Sequence, residues 1–193
     1  MARGFLEGQE PKEDSNGKRI VIMKKTNKKR IIFLDIDGVL NTGRWFFETN
    51  GKVGEDGFYT FDPVAVENLR KIISETGADI VISSSWKCYG KDSMLEMWSK
   101  RNMPGKVIDV TPDYYSDEML PNVSSDSLDI AKLKGFEIAE WLSLHEKSVS
   151  QYVIIDDDDC VLPAQREHLI LTNSDLGITD RIARKIILFF SIM

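Results

Sequence analysis

Three short, unbroken apolar runs in this chain each stop at a cluster of polar, reactive side chains. Ile31-Ile32-Phe33-Leu34 ends at Asp35-Ile36-Asp37-Gly38, Ile80-Val81-Ile82 at Ser83-Ser84-Ser85, and Tyr152-Val153-Ile154-Ile155 at the four consecutive aspartates of residues 156–159. A run of this length with no polar alternation is the pattern of a strand buried on both faces, which means a parallel sheet covered by helices. Ligands bind beyond the carboxyl ends of the strands in such sheets. Parallel strands would therefore deliver all three clusters to one rim. Val107–Val110 and Leu169–Leu171 supply two further strands.

Helical segments separate the runs. Asp62-Pro63 reads as an N-cap followed by a first-turn proline, with Val66, Leu69 and Ile73 on one face and Gly77 as the stop. A helix over 93–101 carries Met94, Leu95, Met97 and Trp98 and closes at Pro104-Gly105, and another over 135–144 carries Ile138, Trp141 and Leu142. Thr179 caps a last helix with Ile182, Ala183, Ile186, Ile187 and Phe190 inward. Residues 41–61 place Gly43, Gly51, Gly54 and Gly57 among Trp45, Phe46, Phe47, Phe58, Tyr59 and Phe61, which predicts a β-hairpin flap. Residues 111–130 are polar and irregular, and no insertion is long enough for a full cap domain.

Charge divides the chain. The net charge is −6, yet the first 30 residues hold nine Lys/Arg against four Asp/Glu, a local +5 that leaves −11 on the remainder. Residues 1–29 read as a flexible basic arm, in part a remnant of cloning, ahead of one domain over 30–193. An acidic body argues against a general nucleic-acid binder, with the basic arm and Lys87, Lys91, Lys100, Arg101 and Lys106 as the local basic candidates. There is no apolar run of about 18 residues and no apolar leader, so a cytoplasmic protein without a membrane segment is expected. Cys88 and Cys160 are too few for a disulfide framework and read as packing residues, as do Trp86, Trp98 and Trp141. His145 and His168, the two histidines, stand near no serine elbow or zinc pattern, and no P-loop string occurs.

The alternation in Asp35-Ile36-Asp37 lets both carboxylates face one cavity while Ile36 enters the core, and Gly38 lets the backbone turn away. Carboxylates packed together repel one another unless a cation lies between them. An all-oxygen site suits Mg²⁺ shared with a substrate phosphate.

The string "IIFLDIDGVLNT" resembles motif I of the haloacid dehalogenase (HAD) superfamily. "DIVISSSWK" resembles its motif II, Lys134 in "KLKGFEIAEWL" its motif III and "YVIIDDDD" its motif IV, in the required order. Together with "TNSDLGIT" the pattern resembles the HAD branch of Swiss-Army-knife RNA repair proteins, with polynucleotide-kinase phosphatase domains as wider relatives. The resemblance spans about residues 31–190. It implies a three-layer Rossmannoid fold with a central five-stranded parallel sheet of order 5-4-1-2-3, counting the five runs along the chain. It also implies Mg²⁺, with Asp35 as the nucleophile that forms an aspartyl-phosphate and Asp37 as general acid and then base, its backbone carbonyl on the metal. Gly38, Ser83, Ser84 and Lys134 form the phosphate-binding set, Ser83 and Ser84 competing for the motif II role, and Lys134 neutralises charge on phosphate and nucleophile. Asp157, with Asp156 behind it, completes the metal shell, the acidic run leaving the choice of ligand open.

The function these residues predict is a Mg²⁺-dependent phosphatase with an open site, acting on phosphorylated nucleic-acid ends or nucleotides. The rivals are a phosphatase of small phosphorylated metabolites or phosphoproteins, and a non-catalytic module that binds Mg²⁺ or phosphate. The flap rings Trp45 and Phe47 are candidates to stack a base, although the pattern favours a place for them in the core. Oligomeric state has no signature in the sequence.

Overall fold

The computed structural model describes residues 12–13, 19–20, 28–114 and 132–192. A two-residue antiparallel ladder, β1 (Lys12–Glu13) with β2 (Arg19–Ile20), precedes the domain. Apart from residues 28 and 29, the predicted arm otherwise lies outside the described residues, as does the predicted polar stretch from residue 115 on.

Five parallel strands form the sheet: β3 (Lys29–Leu34), β4 (Asp79–Ile82), β5 (Val107–Val110), β6 (Val149–Asp156) and β7 (Leu169–Leu171), in the order β5-β4-β3-β6-β7. This is the predicted order counted from the other edge. Strand β3 begins earlier than its apolar run, because Lys29 and Arg30 already pair with Val149 and Gln151, and Lys29 reaches Asp79 at 2.6 Å.

Odd and even positions of the strands feed opposite layers. Ile32, Leu34, Ile80, Ile82, Val153 and Ile155 pack beneath helices α2 (Pro63–Thr76), α3 (Lys91–Lys100) and α5 (Asp180–Ile192). Ile31, Phe33, Val81 and Ile154 pack beneath Ile138 and Trp141 of α4 (Leu133–His145), with Phe33 and Trp141 edge to face at 5.3 Å. A pleated strand alternates its side chains, so two buried faces require an unbroken apolar run. Among the described residues no helix is long and apolar enough to cross a membrane.

Helix α2 starts and stops as its end residues dictate. Asp62 Oδ1 accepts the Val64 N–H at 2.8 Å, Pro63 fills the first turn, and Gly77 adopts φ +62°. The flap departs from expectation. Its first half is a helix, α1 (Gly43–Glu48), and its second half closes through a single antiparallel bridge, Val53 to Tyr59, where two aromatic strands were predicted. Thr42 explains the difference, since its hydroxyl accepts the Trp45 N–H at 3.2 Å and donates to buried Asp62 at 2.9 Å. Capping and a tertiary anchor thus override the strand preference of Trp45-Phe46-Phe47. Arg44 also donates to Asp62 at 2.7 Å, and Arg101 grips Asp56 through two hydrogen bonds, fastening the loop to the end of α3.

Candidate active site

The carboxyl rim of the sheet is assembled by backbone continuity. The Asp35 N–H donates to Ile155 O at 3.0 Å and the Ser83 N–H to Leu34 O at 2.9 Å, so both residues extend the strand ladder by one step. Asp35 and Ser83 thereby follow the odd-numbered face, toward α4. Beyond Asp35 the chain folds back on itself through the Leu40 and Asn41 N–H groups, both donating to Ile36 O. Gly38 sits at φ +68°, and a Cβ there would stand 2.2 Å from Asp157 Oδ2. No other residue type satisfies both the left-handed backbone and the pressing carboxylate. The Gly38 carbonyl accepts the Thr172 hydroxyl at 2.9 Å, a tie from beyond β7 that no sequence signal announced.

Oxygens of Asp35, Asp156 and Asp157 lie within 4.8 Å of one another. Lys134 enters this cluster from the first turn of α4, 2.6 Å from Asp156 Oδ2 and 3.3 Å from Asp35 Oδ2. A cation at a helix N-terminus opposes the helix dipole, and the two carboxylates offset that cost. Burial works against the Lys134 ammonium, but Asp35 and Asp156 outweigh it and hold the group charged well above the ordinary lysine range. Burial pushes the Asp35 carboxyl up to about 6, opposed by Lys134 and a Ser84 hydrogen bond and assisted by Asp156. Burial likewise raises Asp157, with Asp156 and Asp158 adding to it. One ammonium against three carboxylates is an unbalanced site, and its hard oxygen donors fit a divalent cation such as Mg²⁺.

The loop that follows the aspartates is pinned to α4. Gly135 donates to Cys160 O at 3.1 Å, and Gln165 Nε2 donates to Gly135 O at 2.9 Å. A Cβ on Gly135 would stand 2.7 Å from Leu162 N. A glycine inside a helix costs about 1 kcal/mol relative to alanine, and this close approach is its reason. That glycine was the one visible signal for the contact. Of the four aspartates, Asp156 and Asp157 join the cluster, while Asp159 pairs with Arg166 on the surface. The Cys160 thiol donates to Asp156, and burial with that neighbouring carboxylate pushes it up to about 12, which leaves it protonated.

The two motif II serines differ. The Ser83 hydroxyl is fully buried with no hydrogen-bond partner, so an acceptor arriving at the rim would satisfy it. Ser84 touches Asp35 and accepts the Trp86 N–H at the start of the 3₁₀ turn Ser85–Tyr89. Asp37 stands apart from the three-carboxylate cluster and is exposed. Its Oδ2 accepts the Trp86 indole N–H at 2.8 Å and its Oδ1 the Asn41 side-chain N–H at 2.7 Å. Trp86 is core, as its apolar ring suggested, and it also orients Asp37 from 49 positions away, which sequence spacing hides.

The basic patch does not form. Lys87 is buried against Glu137, Lys91 pairs with Asp109, Lys100 with Glu96 and Arg101 with Asp56, so four of the five candidates outside the arm face acids. Glu137 of α4, Asp109 of β5 and Asp56 of the flap loop supply three of these partners, and Glu96 supplies the fourth from within α3 itself. The flap rings also differ from expectation. Trp45 donates to Thr60 Oγ1 at 3.1 Å, and Phe47 is 80% exposed away from the rim cleft. Cys88, read as packing, is exposed.

No curated protein matches the chain significantly. Residues 31–183 do match a family described as the HAD domain in Swiss Army Knife RNA repair proteins. That match covers all four rim segments and the sheet that carries them, and it implies a function of the phosphatase or hydrolase type. On that span, the chain belongs to the HAD domain family of Swiss Army Knife RNA repair proteins.

Proposed function

We propose that the protein is a Mg²⁺-dependent phosphatase that works through an aspartyl-phosphate on Asp35 and acts on phosphorylated nucleic-acid ends or nucleotides. The observation that carries this reading is the unbalanced cluster of Asp35, Asp156 and Asp157 around the single ammonium of Lys134. A carboxylate oxygen of Asp35 attacks phosphorus, and the bond to the ester oxygen breaks as Asp37 gives that oxygen its proton. Asp37 then takes a proton from water, whose oxygen attacks the same phosphorus and frees Asp35 and inorganic phosphate. Lys134 and the unsatisfied Ser83 hydroxyl hold the phosphoryl oxygens as charge shifts onto them. Trp86 and Asn41 keep Asp37 aimed throughout. Mg²⁺, held by Asp35, Asp157, Asp156 and the Asp37 carbonyl, would neutralise the phosphate so that an anionic nucleophile can approach it.

RNA repair in the family's description supports the nucleic-acid substrate. The pairing of Lys91, Lys100 and Arg101 with acids favours the smaller members of that class, single nucleotides or a terminal nucleotide, over a long strand bound through its phosphates. The test is phosphate release from p-nitrophenyl phosphate with Mg²⁺ and with a chelator, in the wild type and Asp35→Asn. We expect metal-dependent release that falls about 10³-fold or more in the variant. Release that survives either the chelator or the substitution overturns the reading.

A further inference from the structure

A cleft of about 450 Å³ opens directly beside Asp37. Its walls include Val53, Phe58, Tyr59, Trp86 and Tyr89, and Asp37 is the one charged side chain that lines it. The rings are organised. Phe58 stacks on Trp86 with centroids 4.9 Å apart and planes at 20°, and Tyr89 meets Phe58 edge on at 5.0 Å. Tyr59 and Tyr89 nonetheless keep 42% and 61% of their surface in solvent. Large rings left in water beside a rigid aromatic floor are a stacking platform for a planar ligand.

We propose that this cleft is the leaving-group subsite and that it takes the uncharged base of a nucleoside carrying the phosphate to be removed. The proposal rests on the phosphatase reading above and sharpens its substrate. A proton donor must face the oxygen that departs, so the bulk of the leaving group lies on the Asp37 side of phosphorus. Among the described residues, that side is lined by rings and by no lysine, arginine or histidine. An anionic leaving group such as a nucleoside diphosphate would meet Asp37 and no compensating cation. A neutral, flat group meets the exposed faces of Tyr59 and Tyr89 instead. The cleft has room for a base with its sugar, whereas a lone phenol ring would leave most of it filled with water. Trp86 joins the two functions, since its indole N–H holds Asp37 while its ring forms part of the wall. Recognition by stacking tolerates any base and needs no strand phosphates, which suits a body whose basic side chains are largely paired.

The experiment compares kcat/KM for adenosine 5′-monophosphate with that for ribose 5-phosphate, which presents the same primary ester oxygen without the base. The measurements use the full chain with Mg²⁺. We expect the wild type to favour the nucleotide by about 10-fold or more, Tyr89→Ala to collapse that ratio, and Tyr89→Phe to restore it. A wild-type ratio near one, or a ratio that Tyr89→Ala leaves intact, overturns the subsite. Preference for phosphotyrosine amide over the nucleotide overturns the nucleoside assignment. If the wild type hydrolyses none of these esters, the phosphatase reading fails separately, and calorimetric binding of the two ribose phosphates decides the cleft. Tighter binding of the nucleotide that Tyr89→Ala abolishes upholds it, and equal binding overturns it.

Discussion

Helix α4 carries two buried ion-pair sites one turn apart, and they differ in charge balance. At Glu137 the pairing is one to one, since Lys87 reaches it from the 3₁₀ turn after β4 and the second carboxylate oxygen accepts the Tyr114 N–H at 3.0 Å. Only 5% and 4% of these two side chains meet solvent, and each is the other's counter-charge. At Lys134 one ammonium faces Asp35 and Asp156, with Asp157 against them, and the nearby Ser83 hydroxyl is unsatisfied. Burial alone does not tell the two apart. The surplus negative charge marks the second as a place where a ligand completes the site, and the closed first site braces the loop that bears Ser83 and Trp86 against α4.

Breaking the balanced pair has the largest expected effect. Lys87→Met leaves the Glu137 carboxylate buried without its cation and should cost about 3–5 kcal/mol of stability, read from the urea midpoint. Replacing both partners, Lys87→Met with Glu137→Leu, should recover most of that loss, because the desolvation of both charges disappears with them. If the single variant is as stable as the wild type, Lys87 and Glu137 are not the closed brace described here.

The unbalanced site should respond to metal instead. Lys134→Met is expected to lower Mg²⁺-dependent phosphate release by about 10²–10³-fold. Its melting temperature should rise with added Mg²⁺ by a margin that Lys87→Met does not share beyond the wild-type response, since a cation can replace the missing ammonium only at the three-carboxylate cluster. Equal responses of the two variants would erase the distinction.

The smallest effect is a pH slope. Burial raises the Glu137 carboxyl above the ordinary glutamate range, with Lys87 pulling the other way and Asp113 adding to the rise. A raised folded value means that this group's contribution is fully present below the unfolded value of about 4.3 and is lost as pH rises through the folded one. The stability of the wild type relative to the Lys87→Met, Glu137→Leu double variant should therefore decline as pH increases through that window. A flat difference between the two would show that Lys87 cancels the cost of burying Glu137.

Much of the site was visible in local patterns. An apolar run that ends in Asp-x-Asp-Gly places Asp35 at a rim whatever the details of packing, because buried strands admit no interior charge and loops do. Lys134 was marked by the resemblance to motif III, at the edge of the helix expected from residue 135. Lys87 was misplaced, because a lysine in a polar turn looks solvated until Glu137, 50 residues later, arrives beside it. The flap helix was missed for a similar reason, since Thr42 caps α1 while anchored to Asp62 across 20 positions.

Strand positions, the ends of α2 and the place of the acidic rim follow from one-dimensional pattern, because periodicity, capping and apolar continuity act over a few residues and leave their mark in each stretch of chain, while strand order came with the family resemblance. Which lysines are neutralised, which aromatic rings line the cleft at Asp37 and which indole aims its carboxylate depend on pairs far apart in the chain. Those contacts carry no local signature. They are selected by close packing and by the cost of leaving a buried charge or donor unpaired, and both take effect only when the folded chain brings the partners together.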